Sequence, residues 1–160
     1  MTDVMRFNLP SSLKRHFDGV ERFPRGLIPL GDSICRFNPV FGQGMSVAAQ
    51  EAVALRHILE SRQAEADPLG GLADAFFAEA RAIIETPWGV AMSDLAYPQT
   101  RGDRPADLAQ RMQFQARLQR LMIEDPTVQK VVTEVNHLIR PRSALRDPEL
   151  VERVRAVTLS

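Results

Sequence analysis

Glycine and proline are distributed so unevenly along this chain that they split its folding problem in two. The first 44 residues hold five of the nine glycines and four of the eleven prolines. Apolar and aromatic side chains are scattered through that stretch without helical period. Beyond residue 44 the apolar residues recur at steps of three and four, the spacing that lines one face of a helix. The pattern predicts a front of turns and short extended pieces, followed by helices.

At the front, Leu27-Ile28-Pro29-Leu30 is a short apolar run bounded by Gly26 and Gly31. It predicts a short buried strand, with one side unpaired because Pro29 cannot donate to a ladder. Gly19 to Phe23 is expected to accompany it as an extended segment. Two strands alone are marginal, so this run calls for more sheet than the chain supplies.

The helical part reads as follows. Met45, Ala48, Ala52, Leu55 and Leu59 predict one apolar helix face. Leu72, Phe76, Phe77, Ala80, Ile83 and Ile84 predict a second helix, stopped by Pro87. Residues 88–104 read as irregular, and Pro105 opens a helix carrying Leu108, Met112, Leu118, Leu121 and Met122. Asp125-Pro126 and Asp147-Pro148 each pair a capping carboxylate with a proline suited to the first helical turn. Val128, Val131, Val132, Val135, Leu138 and Ile139 follow the first pair; Leu150, Val151, Val154 and Val157 follow the second. Asp67-Pro68 is the same dipeptide and predicts the same start signal. The fold class expected is mainly α, with about five helices and one or two short N-terminal strands.

Charge bounds the partners. Twenty Lys and Arg balance twenty Asp and Glu over 160 residues. That balance argues against a surface tuned for nucleic acid or an anionic membrane. The single Cys35 excludes an internal disulfide. No apolar run is long enough for a transmembrane segment, and Met1 to Arg15 lacks the apolar stretch of a signal peptide. The expectation is a cytoplasmic protein that binds no nucleic acid.

Residues 30–55 carry the chemistry. The order is strand, Gly31-Asp32, loop, Gly42-Gln43-Gly44, helix. A carboxylate just past a strand end can accept hydrogen bonds from sugar-alcohol hydroxyls. Gly31 beside it allows a ligand close to the backbone. Gly42 and Gly44 free the backbone where a helix begins, so its first N–H groups can face an anion, aided by about half a positive charge from the helix dipole. Ser46 is a candidate cap for that end. Taken singly, Gly-Asp is most often a turn and Gly-x-Gly a weak signal; the combination is specific.

Gly31-Asp32, then Asn38-Pro39-Val40-Phe41-Gly42-Gln43-Gly44-Met45-Ser46, then the helix through Ala48, Ala49, Ala52 and Leu55, closely resembles the C-terminal flavin motif of aromatic-hydroxylase-type FAD-dependent monooxygenases. The branch it looks most like is the one related to squalene epoxidase and geranylgeranyl reductases. The likeness is dense over residues 24–59. It continues more loosely through Trp88, Tyr97-Pro98, Arg104-Pro105 and the helices ending near Pro141. It implies the C-terminal portion of an α/β FAD-binding fold. On that basis residues 1–62 hold the end of a substrate-domain segment and the strand–Gly-Asp–loop–helix of the FAD-binding domain. Residues 63–160 form a C-terminal helical region.

The resemblance implies FAD as cofactor, with NAD(P)H reducing it in a complete enzyme. It implies Asp32 at the ribityl and pyrophosphate region, with Gly31 beside it, and Pro39 close to the flavin ring. Gly42, Gln43, Gly44, Met45 and Ser46 match the helix start that faces the pyrimidine side of the isoalloxazine. No catalytic side chain is implied in this segment, since the flavin carries the chemistry. Aromatic, polyprenyl or polycyclic small molecules are the substrates implied. The Gly-x-Gly-x-x-Gly unit for the ADP half of FAD is missing from the sequence. A truncation, a misassigned start or a separate chain carrying the missing half would each account for that, and the chain is expected to be inactive alone. A small helical interaction module, or a decayed fragment that binds no flavin, is the alternative.

Other residues point less far. Cys35 with His57 is a conceivable nucleophile pair, but buried packing is the simpler reading of Cys35. His16, His57 and His137 lack metal-ligand spacing, so no metal site is expected. Trp88 and Tyr97 read either as a substrate-facing pair or as loop packing. Arg140, Arg142, Arg146, Arg153 and Arg155 are interleaved with Asp147, Glu149 and Glu152, the pattern of a solvated helical face.

Overall fold

The computed structural model describes residues 11–159. The signal-peptide reading rests largely on Met1 to Pro10, which lie outside the described residues. The fold is mainly helical: five α-helices and one two-stranded antiparallel sheet among the described residues. Strand β1 is Leu13–Lys14 and β2 is Cys35–Arg36; Leu13 pairs with Arg36 and Lys14 with Cys35. The helices are α1 Gly44–Ser61, α2 Leu72–Ala91, α3 Leu108–Glu124, α4 Pro126–Asn136 and α5 Pro148–Ala156. Two compact units divide the chain, residues 1–87 and 88–160.

The strands lie elsewhere than expected. Leu27 to Leu30 forms no ladder, and both Leu27 and Leu30 are exposed. Leu30 is extended, at φ −138° and ψ 154°. Extension outside a ladder is what remains when Pro29 removes a donor and no neighbouring strand among the described residues offers acceptors. Residues 19–23 are not extended as a segment either: Phe17–Gly19 is a 3₁₀ turn, followed by bends.

In the first unit, Leu72, Phe76, Phe77, Ala80 and Ile84 of α2 are buried as the spacing predicts. Phe77 also closes an aromatic cluster, stacked on Phe17 at 6.0 Å and edge-on to Phe23 at 5.0 Å. Pro87 does not stop this helix, which runs on to Ala91 and then into a 3₁₀ segment at Met92–Ala96. Burial of Ile84, Thr86 and Pro87 offsets the single hydrogen bond that an internal proline removes.

The face of α1 also differs from expectation. Val47 and Glu51 are buried, and Ala48, Ala54, Leu55 and Ile58 are half-buried. Met45, Ala52 and Leu59, three of the five predicted face residues, are exposed. Alanine is common all round this helix, so the apolar spacing fits two overlapping faces.

In the second unit, Leu118 of α3, Val128 and Val132 of α4, and Leu150 and Val154 of α5 form one buried cluster. Phe114, Leu121, Met122 and Leu145 pack against it. Asp125 caps α4, its Oδ1 accepting from the N–H groups of Thr127 at 2.7 Å and Val128 at 3.3 Å. Asp147 caps α5 through Leu150 N–H at 3.1 Å. Asp67-Pro68 starts no helix: it opens a turn closed by Gly70 N–H on the Asp67 carbonyl, and α2 begins only after Gly71 at φ +62°. Pro105 likewise precedes α3 by a turn, with Asp107 at the N-cap. Helix α4 ends at Asn136, before Ile139, which is exposed.

Candidate functional site

The Gly-Asp segment folds as a 3₁₀ turn, Gly31–Ser33, packed on α1. Ser33 ties the turn to its own start: its Oγ donates to the Leu30 carbonyl at 2.6 Å and accepts from Leu30 N–H at 2.8 Å. Arg15 holds the far side, its Nη1 donating to the carbonyls of Asp32 at 3.2 Å and Ser33 at 3.1 Å. Gly31 is buried at φ +56°, a left-handed conformation that favours glycine. A Cβ built there would stand 3.2 Å from the Ala48 Cβ, so the absence of a side chain sets how closely turn and helix approach.

The loop that follows is also locally specified. Asn38 N–H donates to Ser12 Oγ at 3.1 Å, and Asn38 Oδ1 accepts from Val40 N–H at 3.2 Å. That cap starts the 3₁₀ turn Pro39–Phe41, which Gly42 ends at φ +67°. Gln43, buried, is the N-cap of α1, and its carbonyl accepts the first helical bond, from Val47 N–H at 3.0 Å. Ser46 is therefore inside the first turn and not the cap. The N–H groups of Gly44, Met45 and Ser46 precede the first intrahelical bond and belong to the positive end of the helix dipole.

The predicted residues converge in part. Asp32 and Gly44 meet: the Asp32 Oδ1 lies 3.8 Å from where a Gly44 Cβ would be. Asp32, Pro39, Gly42, Met45 and Ser46 are exposed, Gly44 is half-buried, and Gly31 and Gln43 form the floor. The Asp32 carboxylate is thus open beside the helix start, and Val40 and Met45 expose apolar side chains on the same segment. A hydroxyl-accepting carboxylate next to free helix-start N–H groups is chemically compatible with the flavin segment that the resemblance implies.

One residue of this site escaped the sequence reading. Glu51 is fully buried behind the turn, and its Oε2 accepts from Gly31 N–H at 2.6 Å. Burial pushes its pKa up, and the Gly31 hydrogen bond opposes that shift. The signal lay in the spacing: Glu51 follows Val47 by four residues, a carboxylate on the face that α1 buries.

The other candidates resolve into structure. Cys35 is buried on β2, and desolvation is the main cause that drives its thiol up to about 12. His57 is exposed on α1, so the pair has no shared buried site. No group of three or more His, Cys, Asp or Glu among the described residues is placed to hold a metal ion. Trp88 lies in α2, half-buried, whereas Tyr97 is exposed on a loop. Arg104 clasps that loop, donating to the carbonyls of Leu95 at 3.1 Å, Tyr97 at 3.1 Å and Thr100 at 2.9 Å. Of the arginine cluster, Arg140 pairs with Glu134 at 2.8 Å and Arg153 bonds Asp125.

No protein-family model matches the chain. Over 53 residues, 33% of its length, it is 49% identical to protein Rv3254 of Mycobacterium tuberculosis. The matched stretch spans 11% of that relative's length. Among the described residues, no helix is long and apolar enough to cross a membrane.

Proposed function

We propose that this chain contributes the flavin-contacting segment of an FAD-dependent oxidoreductase of the monooxygenase or hydroxylase type. The observation that carries the reading is the open Asp32 carboxylate set beside the first turn of α1, with Gly31 packed against Ala48 beneath it. Asp32 would hold flavin hydroxyls, and the N–H groups of Gly44, Met45 and Ser46 would face negative charge on the ring. Their dipoles are already oriented, so they stabilise that charge without rearranging. Bound flavin supplies the redox chemistry, with NAD(P)H as reductant in the complete enzyme. The substrate is a small aromatic, polyprenyl or polycyclic molecule, bound by parts of the enzyme other than this segment. In this reading the chain acts as part of a larger enzyme and is inactive alone.

A second reading has one observation in its favour. Met45, Val53 and Leu59 expose apolar side chains on α1, which suits a helical interaction module that binds no flavin. Visible absorbance separates the two. A chain that binds FAD by itself purifies yellow and quenches flavin fluorescence. A split enzyme stays colourless until mixed with a polypeptide carrying a Gly-x-Gly-x-x-Gly unit, and then quenches flavin and oxidises NAD(P)H. If neither the chain nor the mixture binds flavin, the interaction module stands. Asp32→Ala is expected to weaken FAD binding by about 1.5–3 kcal/mol, the value of a charge-assisted hydrogen bond; unchanged affinity in a titration would remove Asp32 from the site.

A further inference from the structure

Glu51 is the one fully buried carboxyl group in the described fold, and the flavin reading gives it no part. Its Oε2 takes the Gly31 N–H at 2.6 Å, while its Oε1 is buried with no hydrogen-bond partner among the described residues. Gly31 lies outside any regular ladder, so its buried N–H depends on this acceptor. The turn it opens places Asp32 beside Gly44. An aliphatic residue would pack on this face of α1 at lower desolvation cost, yet would leave that N–H unsatisfied.

We propose that Glu51 is a positioning residue: through Gly31 N–H it fixes the 31–33 turn and with it the Asp32 carboxylate at the start of α1. What Asp32 is positioned for rests on the flavin reading; the positioning itself does not. The charged and titratable groups of the elements around it are Asp32 in the turn, Cys35 and Lys14 on the paired strands, and Arg15 on the turn's carbonyls. None of them bonds Glu51 directly; the Gly31 N–H is the polar contact that defines its orientation.

The test uses the full chain with Glu51→Gln and Glu51→Ala. Glutamine keeps a carbonyl acceptor of the same reach and removes the ionisation, whereas alanine removes both. In the unaltered chain the Gly31 amide proton, followed by NMR, is expected to be protected from exchange and to shift with pH in step with the Glu51 side-chain carbon. Glu51→Gln is expected to keep the protection and abolish the pH response. Glu51→Ala is expected to lose both and to move the Asp32 resonances, while far-UV circular dichroism reports that the helices remain. Should alanine unfold the chain, the comparison of Gln with the unaltered protein still decides. A Gly31 amide that ignores pH in the unaltered chain, or one protected equally in a folded alanine variant, would overturn the proposal. FAD titration is a separate arm: affinity is expected to fall about tenfold in Glu51→Ala and to be restored in Glu51→Gln. Absence of FAD binding in the unaltered chain counts against autonomous flavin binding alone, because the amide measurements stand without it.

Discussion

At Gly31 the backbone is left-handed and the space above Cα is taken by Ala48, so two independent constraints select the same residue. Gly31→Ala is expected to destabilise the chain by about 1–2 kcal/mol from the backbone alone, plus the crowding at Ala48, read as a lower urea midpoint. Gly44 is different. Among the described residues a Cβ there meets only the Asp32 Oδ1, at an ordinary 3.8 Å. The geometry therefore makes Gly31 the less tolerant of the two glycines. Cys35 gives a chemical prediction. With its pKa pushed up to about 12 by burial, the thiol is protonated at neutral pH and shielded. Alkylation by iodoacetamide is expected to be slow in the native chain and to speed up on adding urea; equal rates would show Cys35 to be accessible. The linkage has a definite sign. A raised pKa keeps the folded state protonated, so stability is intact below the ordinary thiol range and falls as pH rises through it.

Among the elements, α4 and α5 were the most legible. Each begins with an aspartate whose carboxylate accepts first-turn N–H groups and a proline that needs no partner there. The information is local, so a short window of sequence contains it. Asp147→Ala is expected to cost about 1 kcal/mol, a typical N-cap loss. Asp125→Ala is expected to lower the melting temperature further, because Asp125 also takes the Thr127 hydroxyl at 2.5 Å and the Arg153 guanidinium. These bonds hold its carboxyl well below the usual carboxylate range, the Thr127 hydroxyl first and Arg153 second. Their contribution is present above the ordinary carboxylate range and lost as pH falls through the depressed value. Acid melts should therefore separate the unaltered chain from Asp125→Ala less and less as pH drops; a constant gap would contradict the capping role. Asp67-Pro68 shows the limit of local reading. The same dipeptide makes a turn because Gly70 and Gly71 follow it, and Asp67 pairs with Arg25 at 2.5 Å across 42 residues.

At the scale of the molecule, each compact unit has its own buried centre. Phe76 in the first and Leu118 in the second are the largest fully buried side chains of their units. Phe76→Ala is expected to cost about 3–5 kcal/mol and Leu118→Ala about 2–5 kcal/mol in urea unfolding, since each leaves a cavity that relaxes only in part. Losses below 1 kcal/mol would show the cores to be loosely packed. Exposed Met45, Val53 and Leu59 belong to this scale too, because whether an apolar face is covered is decided by what the rest of the molecule brings to it.

The sequence by itself determined the helical class, the two capped helix starts in the second half and the buried stripe of α2. All of these depend on neighbours within a few positions, where propensity, capping and periodicity act. Only the tertiary structure decided that Leu27 to Leu30 joins no strand ladder, that the strands among the described residues are Leu13–Lys14 and Cys35–Arg36, and that α2 runs through Pro87. It also decided which side of α1 is buried, and so placed Glu51 under Gly31, twenty residues earlier in the chain. Strand partners, a proline's tolerance and a buried carboxyl's acceptor role depend on groups distant in sequence, and spacing along one segment does not encode which of them arrive.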